Sequence, residues 1–158
     1  MAAFKFKLDF LITLRRRKEE EAQVRLAKRL ASIQELEAEI ANLTEYKARL
    51  QAELDEKIKS GGIAIALLTM YKDYDLKLNR DLARLHEFLR LSRKEEIKER
   101  AALAKASVDL KILEKVKEKK KAEFRAEQMY IEQNNLEEMA ALAKAGRDRE
   151  ERRQAGSL

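Results

Sequence analysis

No proline interrupts this 158-residue sequence, and its only paired glycines are Gly61-Gly62. Proline and glycine are the residues that tight turns depend on. A β-domain needs many such turns, and four glycines without proline cannot supply them. The chain is 45% hydrophobic and 41% charged but only 6% aromatic, the make-up of long helices rich in Ala, Glu, Lys, Leu and Arg. The absence of cysteine excludes a disulfide scaffold, a thiol nucleophile and a cysteine-ligated metal site. A single histidine, His86, removes most histidine-based metal and triad chemistry as well.

The apolar spacing predicts where the helices lie. Ile33, Leu36, Ile40, Leu43, Leu50 and Leu54 follow one another at helical steps, with Lys47 at the one seam position that is not apolar. Tyr46 is expected to cover that gap while the lysine stem snorkels outward. Upstream, Ala22, Leu26, Leu30 and Ile33 continue the stripe with two fours in succession, which reads as a stutter. Phe4, Leu8 and Leu11 extend the same face, so one helix is expected over 4–59. Glycine readily takes the positive φ required just past a helix end, which places a turn at 60–63. A second helix is expected over 64–146, carrying Leu67, Tyr71, Tyr74, Leu78, Leu82, Leu85 and Leu89 at helical spacing. Its seam weakens after Arg93 and resumes through Ile97, Leu103, Leu110, Leu113, Phe124 and Ile131. Residues 147–158 read as a flexible charged tail beyond Gly146.

A helix with a narrow apolar seam is marginal until the seam is buried. Folding back through the glycines buries both seams at once, which predicts an all-α, long antiparallel two-helix coiled coil, a helical hairpin with an overhanging C-terminal helix. Residues 1–146 then form a single coiled-coil domain. Symmetry about the turn predicts partner numbers that sum to about 122, with Phe4 near residues 116–119. The first helix would be roughly 85 Å long and the second roughly 125 Å, so residues 120–146 would project some 40 Å unpaired. That overhang still carries Phe124, Met129, Tyr130, Ile131, Leu136, Met139 and Leu142. An unpaired apolar stripe calls for a partner.

Thirty-five basic against 29 acidic residues gives a net charge of +6. By segment the counts are 13 against 11 for residues 1–60, 13 against 10 for 61–118, and 9 against 8 for 119–158, so no third is strongly basic. Intermixed signs of this kind belong to solvated helix faces, and nucleic-acid binding is not expected. The N-terminal stretch lacks a cleavage signal, and the longest uncharged run, 60–71, is far too short for a membrane span. The expectation is a soluble intracellular protein, monomeric when free, with at most peripheral membrane association. Neither a phosphate-binding glycine loop nor a nucleophile or zinc motif is present, so no catalytic residue, cofactor or metal is expected. His86 reads as a flank histidine without a catalytic task.

Tyr46, Tyr71 and Tyr74 cluster near the glycine turn, as amphipathic aromatics do at interfaces. Phe4 and Phe6 differ by two positions, so a helix cannot bury both on one seam.

The opening Phe4-Lys5-Phe6-Lys7-Leu8, followed by Leu11, Leu14-Arg15 and Glu19-Glu20-Glu21-Ala22, resembles the N-terminal signature of the FliJ family of the flagellar type III export apparatus. The Leu43-x-x-Tyr46 step before the turn and the tyrosines after it fit the same family, which is related to YscO-type stalk proteins of virulence secretion. The resemblance implies a soluble, non-catalytic coiled coil, similar to the central stalk of rotary ATPases, at the cytoplasmic face of the inner membrane at the flagellar base. It implies contact with the hexameric export ATPase FliI through Phe4, Phe6, Leu8, Leu11, Phe124, Met129, Ile131 and Leu136. It implies contact with the export gate protein FlhA through Leu43, Tyr46, Leu50, Tyr71, Tyr74 and Leu78. Escort of export substrates or their chaperones is a further implied role. Flagellar and virulence systems stay open at this level, as does a homodimeric structural coiled coil.

Overall fold

The computed structural model describes residues 3–157, which are built from two long helices. α1 spans Asp9–Lys59 and α2 spans Ile65–Ala155, and the described residues contain no strand. Two compact units can be distinguished: Leu14–Asp109, and a second made of the residues up to Thr13 with those from Leu110 onward.

Within Leu14–Asp109 the two helices run antiparallel, as expected. Arg15 Nη1 meets Asp109 Oδ2 at 3.2 Å and Arg25 Nε meets Glu99 Oε2 at 3.4 Å, while Lys57 Nζ donates to the Tyr71 hydroxyl at 3.2 Å. The sums of facing pairs run from 120 for Tyr46–Tyr74 through 122 for Lys47–Asp75 and 124 for the first two pairs to 128 for Lys57–Tyr71, around the expected value of about 122. Gly61 and Gly62 take φ of 143° and 90°, and the first α2 hydrogen bond, Leu68 N to Ala64 O at 2.9 Å, leaves Ile63 and Ala64 in the turn. The turn therefore runs one residue longer than the expected 60–63. Lys57 and Lys59 complement the negative end of α1.

The sequestered positions on α1 run from Arg15 through Glu19, Ala22, Leu26, Arg29 and Ile33, in unbroken steps of four and three. The expected stutter is absent because Arg29 and Leu30 are both half-buried, so the arginine stem holds the seam position. On α2 the seam passes through Leu68, Tyr71, Asp75, Leu78, Leu82, Leu85 and Leu89, then Ser92, Glu96, Glu99, Leu103 and Ala106. Leu67, Tyr74 and Ile97 fall outside it and are exposed. A strict 3.5-residue repeat selects their neighbours, polar ones included, in preference to the most apolar residue nearby. Lys47 holds the seam position expected of it. It is half-buried, and its ammonium donates to Asn79 Oδ1 and lies 3.9 Å from Asp75 Oδ1, both on α2.

In the other unit, α1 begins at Asp9 rather than Phe4. Leu8 O accepts the first helical bonds, from Leu11 N at 3.0 Å and Ile12 N at 3.2 Å, and the Asp9 carboxylate sits in the first turn, where the helix dipole favours it. Ahead of it, Phe4, Phe6 and Leu8 are half-buried while Lys5 and Lys7 are exposed. That two-residue alternation belongs to non-helical backbone, and it lets both phenylalanines face α2. Phe4 packs against Phe124, with ring centroids 5.7 Å apart, and Asp9 Oδ1 accepts from Lys117 Nζ at 2.6 Å. Phe4 thus reaches past the expected 116–119, since an extended residue advances about twice as far as a helical one.

α2 continues through Gly146 to Ala155, where a flexible tail was expected. An isolated glycine costs a helix only about 1 kcal/mol relative to alanine, and alanines and alternating charges flank this one. The helix closes with Gly156 N donating to Arg152 O at 3.1 Å. No helix among the described residues is long and apolar enough to cross a membrane.

Candidate docking surfaces

Residues proposed from sequence for gate contact all lie in the Leu14–Asp109 unit. Tyr46 and Tyr74 occupy matching off-seam positions on the two helices, and their rings meet edge to face at 6.2 Å and 85°. Both stay about two-fifths exposed, so the pair forms an aromatic ridge on the surface. The neighbouring Tyr74 hydroxyl raises the Tyr46 phenol pKa above its ordinary value. Tyr71 sits in the seam itself, half-buried, with its hydroxyl taking Lys57 and the same ammonium 5.5 Å from the ring centre. That contact in turn raises the lysine pKa. Leu43 and Leu50 are half-buried, and Leu78, only 4% exposed, belongs to the interior between the helices. A cleft of about 240 Å³ lined by Leu50, Leu54, Tyr71 and Lys72 opens beside them. Ile65 and Met70 are also exposed apolar residues near the turn. Their signal in the sequence was present but masked, because Ile65 belongs to a short apolar run that reads as a turn leading into a helix.

The residues proposed for ATPase contact lie in the other unit. Phe4, Phe6, Leu8 and Phe124 converge on one open groove of about 730 Å³, together with Val116 and Lys120. Leu11 is half-buried on α1 beside the buried Ile12. Met129, Ile131 and Leu136 are not gathered into that groove. They lie further along α2 and are exposed, Met129 by 70% and Leu136 by 67%, as are Met139 and Leu142.

The chemistry available at these surfaces is that of contact. Carboxylates with lowered pKa owe the shift to an adjacent cation on the same exposed helix face: Glu87 to Arg90, Glu95 to Lys98, Glu123 to Lys120. His86 is exposed. Among the described residues no group of three or more potential ligands could hold a metal ion.

A family model described as "Flagellar FliJ protein" matches residues 4–149, which takes in both surfaces. The chain belongs to the FliJ family. No curated protein and no solved structure matches it. As a FliJ protein it is a non-enzymatic component related to flagellar protein export, so the choice between flagellar and virulence systems falls to the flagellar one.

Proposed function

We propose that this FliJ protein acts as a stalk-like link between the export ATPase ring and the export gate, without breaking a bond itself. The observation that carries the reading is the run of exposed apolar side chains on α2 from Met129 to Leu142, continuing from the Phe4–Phe124 groove. A stripe of solvent-facing Met, Ile and Leu marks a surface that another protein covers. The FliI-like ring would receive Phe4, Phe6, Leu8 and Leu11 with Phe124, Met129, Ile131 and Leu136. An FlhA-like gate would be met by the Tyr46–Tyr74 ridge, with Tyr71, Leu43 and Leu50 shaping its base and Leu78 setting the helix spacing beneath it. Coupling then needs only contacts that differ among the ring's nucleotide states, because a ligand shifts an equilibrium by its differential affinity. Such a protein works from the cytoplasmic face of the membrane at the flagellar base, and escort of export chaperones is compatible with the same exposed surfaces.

The test is truncation after Lys121, read as stimulation of the purified export ATPase. The truncated chain should stay helical by circular dichroism and lose the stimulation. An unchanged hydrolysis rate would overturn the reading.

A further inference from the structure

The segment of α2 that carries the exposed apolar residues has a charge pattern of its own. From Ala126 to Ala143 there are four glutamates, Glu127, Glu132, Glu137 and Glu138, and not one lysine or arginine, in a chain of net charge +6. Basic residues bracket the stretch, Lys119 to Lys121 and Arg125 before it, Lys144 and Arg147 after it. Glu127, Glu132 and Glu138 each stand four residues ahead of an exposed apolar side chain, Ile131, Leu136 and Leu142. Residues so spaced are neighbours on a helix surface, so the carboxylates lie against the apolar stripe, Glu127 and Glu138 at its edge and Glu132 between Met139 and Leu136. Several carboxylates elsewhere on the molecule are answered by cations on the same helix face, as in Glu87–Arg90, Glu95–Lys98 and Glu96–Arg100. Here none of those three has an ion-pair partner among the described residues, and Glu137 only accepts from Gln133 Nε2 at 3.0 Å.

We infer that α2 between Glu127 and Leu142 docks, as a preformed acidic amphipathic helix, into an apolar groove on another protein whose rim carries lysine and arginine. The inference rests on the reading that this stretch is a docking arm and adds what its receiver must present. Charge complementarity selects the occupant. An anionic lipid surface or a nucleic acid would be repelled by a stretch without cations. A second copy laid along the same stretch would set carboxylate against carboxylate. A groove lined with aliphatic side chains and edged by cations satisfies both features, and it is the standard way an amphipathic helix is read.

The full chain and two synthetic probes test this. One is an amphipathic helical peptide of leucine and lysine, the other its leucine and glutamate counterpart, each followed by hydrogen exchange and titration. The lysine peptide should slow exchange at residues 127–142, and its affinity should fall roughly tenfold between about 50 and about 300 mM salt. The triple variant E127Q/E132Q/E138Q should weaken binding roughly tenfold at low salt, with unchanged helicity. The variant L136Q should weaken it at all salt concentrations. Equal protection by the two peptides, protection outside this stretch, or none would overturn the inference. So would sedimentation showing that the free chain covers the stretch by pairing with itself. Failure of the chain to stimulate the export ATPase would remove the proposed function and leave these outcomes standing.

Discussion

Tyr46 on α1 and Tyr74 on α2 stand edge to face, 6.2 Å between ring centres, with the Tyr74 hydroxyl beside the Tyr46 phenol. The hydrogen bond to Tyr74 is the main cause of the raised Tyr46 pKa, followed by repulsion from an ionised Tyr74. A phenol whose pKa is higher in the folded than in the unfolded chain supports folding below its unfolded value, and that support is lost as pH rises through the folded one. The window therefore opens near the ordinary tyrosine value of 10.0 and extends upward. Absorbance titration should show the Tyr46 phenolate forming at lower pH in Tyr74→Phe than in the unaltered protein. An unchanged Tyr46 titration in the variant would contradict the arrangement.

The glycines of the turn make a separate demand. A Cβ at Gly61 or Gly62 would meet nothing within 4 Å, so packing does not forbid substitution, but both residues hold positive φ. Alanine at either position should destabilise the hairpin by about 1–2 kcal/mol through backbone strain alone. Gly146→Ala is the control: that glycine is helical with open space around it and should stabilise by up to about 1 kcal/mol. Urea denaturation of the three variants checks the signs, and a loss at Gly146 equal to that at Gly61 would count against this reading.

At the chain's start, Phe124→Ala removes the ring on which Phe4 rests. Aromatic pairs contribute about 0.5–1.5 kcal/mol beyond their area, and this pair anchors the start of residues 3–8 on α2. Amide exchange in residues 4–8 should speed up markedly in the variant, while amides of residues 33–54 stay as they were. Uniform acceleration across both regions would show that the groove supports more than its own unit.

How much of this was legible in the residues depended on which rule governed each place. The hairpin followed from Gly61-Gly62 in a chain without proline, because only glycine takes positive φ without strain. The seam was legible where apolar residues sat on the repeat, from Ile33 to Leu54 and from Leu78 to Leu89. It was misread at Arg29 and Glu96, where the repeat selects a polar residue whose stem packs and whose head reaches solvent or the facing helix, and read correctly at Lys47. Apolarity pointed to Ile97 instead, but geometry leaves it 68% exposed. The opening segment misled for a related reason: its two-residue alternation was visible in Phe4, Phe6 and Leu8, yet the surrounding helical periodicity outvoted it. Among the surface residues, averaging charge over residues 119–158 hid the acidic stretch between two basic ones.

The polar part of the seam yields the last prediction. Glu19, Arg29, Ser92, Glu96 and Glu99 occupy sequestered positions, and the only fully buried residue on α1 between Leu14 and Leu30 is the small Ala22. Half-buried charges contribute little, because partial desolvation offsets most of their Coulombic attraction. Leucines at Arg29 and Glu96 would instead remove apolar area from water at about 25 cal/mol per Å². The double variant Arg29→Leu with Glu96→Leu should therefore raise stability by about 1–2 kcal/mol, and it should slow amide exchange across 22–33 and 92–103. Those stretches should exchange faster than residues 36–54 in the unaltered protein, since fewer apolar contacts hold them closed. A destabilised double variant would mean that the charges, rather than the register, keep this part of the two helices together.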